Sequence, residues 1–182
     1  MVEAERFKKA FYEGEGHLFL TREGANLVLP YLVAFPRLSS EGLTLVRVRR
    51  EPNFIPPAIS HPFKADYGGK LPLLGYDLLP SEKALHLALY WQALGKMETD
   101  YSISVRPTQG GELIFVGGGL LQEDRAHPVW GWYPTSGWLP GEVVRDDYLI
   151  PDQPPHDGLM VLAYWRTDGE FENLGAATFP LE

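Results

Sequence analysis

Proline and glycine interrupt this chain so often, sixteen and nineteen times in 182 residues, that long helices have little room to run. Proline lacks the amide that a helix interior needs, and glycine favours turns. Together with 13% aromatic residues, this pattern predicts many short strands joined by turns rather than a helix bundle. A chain of this length buries roughly 70% of its unfolded surface. Its 45% hydrophobic and 22% charged content is that of an ordinary globular protein, not of a disordered one.

The chain changes character near Glu51. Before it, Val2 to Tyr12 carries Ala4, Phe7 and Phe11 at helical spacing, and His17 to Thr21 reads as a short strand. Asn26 to Leu38 places Leu27, Val28, Tyr31, Leu32, Phe35 and Leu38 on one helical face, with Asn26 as cap. Leu43 to Val48 is a second strand, so residues 1–50 are expected to form a small βαβ segment that docks on the remainder of the chain. Residues 51–62 form a connector held extended by Pro52, Pro56, Pro57 and Pro62.

Residues 63–182 read as strands: Leu71–Leu79, Leu85–Trp91, Tyr101–Arg106, Glu112–Val116, Val143–Ile150, Leu159–Arg166 and a last one within Leu174–Phe179. Asp168-Gly169 signals a hairpin. Alternation puts Trp91 and Trp165 in the core. The expected fold is mainly β, an antiparallel β-sandwich of immunoglobulin or jelly-roll type preceded by the βαβ segment.

Six blocks within about residues 65–170 occur in a suggestive order. They are Gly69–Asp77, Leu87–Ala93, Asp100–Val105, Tyr133–Trp138, Pro140–Val144 and Asp147–Pro151. In that order the chain resembles the soluble C-terminal β-sandwich of bacterial membrane glycosyltransferase-like proteins, themselves similar to dolichyl-phosphate-mannose–protein mannosyltransferases. Gly117–Gly119 and Trp130–Trp132 stand where that pattern has a shorter, more polar hairpin. The resemblance implies an accessory domain on the outer side of the membrane, attached to a membrane-embedded remainder that carries the catalytic carboxylates. A true start at Met1 would instead imply an independent cytoplasmic protein.

Several chemistries are disfavoured by the residues themselves. A formal charge of −8 does not suit a phosphate backbone, so no nucleic-acid partner is expected. The absence of cysteine removes disulfides, thiolate metal sites and cysteine nucleophiles. The longest apolar stretch, Ala25 to Phe35, is far shorter than the roughly 20 residues a membrane helix needs. The segment beginning at Met1 has no apolar core of a signal peptide. His17, His61, His86, His127 and His156 show no metal-ligand spacing, and His86 reads as a solvent-facing sheet residue. Thr135-Ser136-Gly137 reads as a turn whose hydroxyls bond backbone. Gly117–Gly119 and Gly14-x-Gly16 are turn glycines. No catalytic residue, metal or cofactor is assigned.

Three groups remain as candidates. Asp100, Glu123, Asp124, Asp146 and Asp147 include possible partners for a glycosidase pair, which would need two carboxylates facing each other at about 5–9.5 Å. Alternation along the strand would send one of Asp146 and Asp147 inward and the other to solvent. Asp152 and Asp157 are the pair around which a single structural calcium would form. Trp130, Trp132, Tyr133 and Trp138 form an aromatic loop. Its flat faces suit a glycan or the sugar of a lipid-linked donor, with Asp124 and Asp147 as polar partners; otherwise the loop is a lid on the core. The expected function is a non-catalytic, glycan-binding accessory domain. The alternatives are a glycan-active hydrolase and a protein-interaction module.

Overall fold

The computed structural model describes residues 15–21, 33–40, 43–49, 51–79, 84–152, 154–167 and 170–181. Contacts divide the chain into two units, Met1–Asn53 and Phe54–Glu182.

In the first unit, β1 (Glu15–Thr21), β2 (Val33–Ser40) and β3 (Leu43–Arg49) form an antiparallel sheet in the order β1-β3-β2. This corrects the βαβ expectation: the second half of the predicted Asn26–Leu38 helix is a strand, and β1 runs antiparallel to β3. The physical reason is Pro36. Inside a helix it would remove a hydrogen bond and clash with the preceding turn, whereas an edge strand accommodates it. Pro36 lies on edge strand β2, at a register shift between Pro36 and Leu38. The expected Val2–Tyr12 helix lies outside the described residues.

The second unit is mainly β, with two antiparallel sheets. One has the order β12-β6-β5-β4, made from β4 (His61–Ala65), β5 (Leu73–Leu79), β6 (Ala84–Gln92) and β12 (Val143–Pro151). The other has the order β11-β7-β13-β14, from β7 (Ser102–Gln109), β11 (Glu123–Arg125), β13 (Gly158–Thr167) and β14 (Glu170–Pro180). β8 (Glu112–Leu113) also pairs with β7, and β9 (Phe115–Val116) with β10 (Gly119–Leu120) makes a small separate hairpin. The connector expected over 51–62 thus ends at Ser60, and β4, β10 and β11 are strands the alternation pattern was too short to show.

The core forms where the alternating apolar faces meet. Leu87, Leu89 and Trp91 from β6 and Ile103 and Val105 from β7 are fully buried, as are Leu159, Val161 and Ala163 from β13. Tyr67 meets Trp91 edge-on at 5.1 Å and donates its hydroxyl to the Val161 carbonyl (3.0 Å). Tyr76 stacks on Phe179 at 4.3 Å and bonds the Pro180 carbonyl (2.9 Å). These tyrosines join the two sheets while keeping their hydroxyls paired, as buried phenols must.

Trp165 departs from its expected place. It is only half-buried, because β13 outruns β7: their pairing ends at Tyr164↔Ser102, and beyond it only β14 flanks the strand. The Asp168-Gly169 turn lies outside the described residues, but Thr167↔Glu170 pairing closes the hairpin around it. Trp91→Ala should therefore cost about 3–5 kcal/mol, and Trp165→Ala clearly less. Urea unfolding of both variants checks this ordering.

Candidate functional site: the aromatic loop and its carboxylates

β11 and β12 are edge strands of different sheets, and the segment between them lies along both. Arg125, the last residue of β11, reaches across. Its guanidinium lies 3.7 Å from the Asp146 carboxylate and donates to the Asp147 main-chain carbonyl. It also lies between two rings, 4.1 Å from the Tyr148 centroid and 4.4 Å from that of Trp130. Cation–π contacts and an ion pair thus act on one buried charge.

Asp146 is fully buried. It accepts the Val129 amide (2.7 Å) and the Tyr148 hydroxyl (2.7 Å). The Val129 bond has a local purpose. Val129 and Trp130 have φ of 54° and 59°, in the left-handed region that disfavours residues with a side chain, a β-branched one most of all. Such strain persists only where surrounding contacts over-determine it. Asp146 and the Arg125 stack supply those contacts.

Burial pushes the Asp146 carboxyl up to about 6, against the lowering effects of Arg125, Tyr148 and the Val129 amide. Burial also drives the Tyr148 hydroxyl upward, and the neighbouring Asp146 adds to it.

Asp147 faces the other side of the strand but is buried as well, at 2% exposure. This corrects the expectation that one of the two would face solvent. Asp147 is covered by side chains on its own sheet: Arg145 contacts both its carboxylate oxygens (2.6 and 2.9 Å) and His86 Nε2 lies 2.7 Å away. His86, expected to face solvent, is part-buried in this bond. On the same face Tyr90 donates to Asp77 (2.8 Å), which also takes the Ser60 amide (2.6 Å). Burial raises Asp77, but these donors and Arg145 outweigh it and hold the carboxyl below its ordinary value. Burial and the Asp77 bond push Tyr90 up to about 12.

The four predicted aromatics divide into two pairs. Trp138 is 1% exposed and donates its indole N–H to the Tyr133 carbonyl (3.2 Å). Tyr133 is buried too, its hydroxyl 3.0 Å from the Glu142 carboxylate, which also accepts the Leu139 amide (2.8 Å). This pair is a lid, and the buried Glu142 that organises it gave no signal in the sequence. Trp130 and Trp132 are half-buried. The Trp130 N–H is buried with no hydrogen-bond partner among the described residues, so this indole offers its ring rather than its donor. Thr135 does bond backbone, but across the fold: it donates to Thr99 O (3.1 Å) and accepts the Tyr101 amide (2.9 Å).

The other candidate carboxylates do not join the loop as a group. Asp100 accepts the Ser136 amide (3.0 Å), and Glu123 lies 3.4 Å from Arg125. Asp124 is exposed and bonds Gln122 (2.8 Å); its pairing with Ser104 puts it on the opposite face of β11 from Arg125. Asp157 accepts the Gly110 amide, and Asp152 is exposed. Among the described residues no three His, Asp or Glu side chains converge as metal ligands would, and no helix is long and apolar enough to cross a membrane.

Comparison with protein-family models, curated proteins and solved structures finds no match. The reading of function therefore rests on the site itself.

Two measurements check the Arg125–Asp146 assignment. Arg125→Ala should cost about 3–5 kcal/mol because it strands a buried carboxylate, while the same change made in an Asp146→Asn background should cost far less, since the neutral amide keeps an oxygen for the Val129 amide and leaves no unpaired charge. The Asp146 carboxyl holds its proton more tightly folded than unfolded. Its contribution is full below its ordinary value of 3.8 and is lost as pH rises through about 6. The stability difference between the native protein and Asp146→Asn should accordingly fall between about pH 4 and 6.5 and level off above, in urea unfolding at stepped pH.

Proposed function

We propose that this chain is a non-catalytic accessory module that binds glycans through the outer surface of its aromatic loop. The observation that carries this reading is the Tyr148–Arg125–Trp130 stack. It holds Trp130 half-exposed on a strained backbone that is bonded from beneath. A ring held in this way loses little freedom when a flat, apolar ligand face settles on it, and this is the benefit of preorganisation. Sugar rings present such faces, with hydroxyls at the edge.

The carboxylates support a binding role over hydrolysis. Asp146 and Asp147 lie on opposite faces of β12, and each is taken up by hydrogen bonds within the protein. The pair needed across a cleft is not offered by these two neighbours. The resemblance to the outer domain of membrane glycosyltransferase-like proteins adds a setting to this proposal. The module would lie outside the cytoplasm beside a membrane-embedded remainder and would hold a glycan or the sugar of a lipid-linked donor.

Titration with a panel of neutral oligosaccharides, followed by tryptophan fluorescence, tests the reading. The expected result is saturable quenching at millimolar concentration, about 4 kcal/mol of binding. It should be weakened in Trp130→Ala and Trp132→Ala at unchanged fold. Trp138→Ala, by contrast, should lose about 3–5 kcal/mol of stability as a buried lid residue. Unchanged emission across the whole panel, with Trp130→Ala merely less stable, would overturn the proposal.

A further inference from the structure

The β9–β10 hairpin has no place in either main sheet. β8 pairs with β7 as far as Leu113↔Thr108, and β11 resumes at Glu123↔Val105. Residues 114–122 therefore leave the β7 edge opposite Arg106 and Pro107 and return to it. The excursion closes on itself. Phe115 pairs with Leu120 and Val116 with Gly119, and the Leu121 amide donates to the Ile114 carbonyl (2.8 Å). Gly117 and Gly118 make the turn with φ of 61° and 85°, and two consecutive residues in the left-handed region call for glycine there.

The composition of this hairpin opposes its exposure. Between Glu112 and Glu123 ten residues carry no charge, six of them large and apolar. Ile114, Leu120 and Leu121 are half-buried at its base, yet Phe115 is 65% exposed and Val116 53%. Exposed strands normally carry charge or proline that discourages contact. Here the charge stops at the base, where Glu112 and Asp124 are exposed and Glu123 is partly so.

We propose that this hairpin enters the headgroup boundary of a zwitterionic phospholipid bilayer. Three properties select that occupant. The first is area: Phe115 and Val116 leave on the order of 200 Å² of apolar surface in solvent, a fraction of the roughly 800 Å² that each member of a stable protein pair contributes. The second is reach. Three residues per arm at about 3.3 Å each extend roughly 10 Å, which matches the depth of about 5–10 Å at which apolar groups settle below the headgroups. The arms arrive with their ladder bonds made, and the turn amides of Gly117 and Gly118, outside that ladder, stop at a level where lipid esters and water accept hydrogen bonds. The third is charge. The carboxylates at the base and the −8 of the whole chain suit the outward-facing choline of phosphatidylcholine and are repelled by an anionic surface. One shallow contact holds a protein weakly and reversibly, since stable anchoring takes a second signal. The proposal stands apart from the glycan reading and uses none of the aromatic-loop residues.

The test is amide-resolved NMR of the whole chain with phosphatidylcholine bicelles that carry a spin-labelled lipid, because paramagnetic broadening detects weak, transient contact. The amides from Phe115 to Leu120 should broaden, and those of Gly110 and Gly111 in the β7–β8 turn far less. The double change Phe115→Ser, Val116→Ser should reduce that broadening by about tenfold or more, since binding scales with the apolar area inserted. The remaining amides should keep their positions, because both side chains are exposed. Replacing part of the phosphatidylcholine with phosphatidylglycerol should weaken the effect. Broadening spread evenly over the chain, broadening unchanged in the serine variant, or broadening that grows with the anionic lipid would overturn the proposal. Shifts of the same amides on raising protein concentration without lipid, with no broadening when lipid is added, would make a second copy the occupant. Hairpin amides silent in both experiments would leave an apolar cleft on another protein as the occupant, and either result overturns the bilayer.

Discussion

The Arg125 guanidinium is the contact on which this side of the sandwich depends. It extends from the edge of one sheet to a carboxylate and a main-chain carbonyl of the other sheet's edge strand, between two aromatic rings. Edge strands present unpaired backbone groups and need covering. Here the loop that covers them has a backbone strained at two consecutive residues, and it is the carboxylate paired with Arg125 that bonds the strained segment. Sheet pairing, loop shape and the display of Trp130 are therefore one coupled system. A buried pair of this kind gives little net stability over an apolar replacement, so its value here lies in fixing one geometry.

Elsewhere the sheets are joined by groups that are polar at one end only. Tyr67 and Tyr76 each bury a ring in the core and place a hydroxyl on a carbonyl of the opposite sheet. Lys70 does the reverse at the rim, where it donates to Tyr101 (2.8 Å), and that bond raises its amine above the ordinary range. Such contacts set the relative position of the sheets without leaving a buried donor unpaired.

Much of the fold was legible because strand alternation is a local signal. Leu85–Trp91, Tyr101–Arg106 and Leu159–Arg166 fall within β6, β7 and β13 but for an end residue, since each carries several residues of period two. The predicted Asn26–Leu38 helix went astray because its apolar spacing suits a helix, while Pro36 suits only a strand edge. The aromatic loop was visible as a cluster, but its division into lid and displayed rings was not. Trp138 and Trp130 have the same local composition around them, and only the positions of Glu142 and Arg125 separate their fates.

The sequence by itself determined the class of fold, because proline, glycine and alternating apolar residues act within a few positions of one another. It also set the charge balance and the lack of thiol chemistry, which depend on counts alone. The tertiary structure alone decided that Asp146 and Asp147 would both be buried and that Arg125 would lie between two rings. These outcomes depend on residues far apart in the chain, such as Val129 with Asp146, 17 positions on, and His86 with Asp147, 61 positions on. Burial and hydrogen bonding are properties of the neighbours a side chain acquires when the sheets close, and local sequence carries no record of those neighbours.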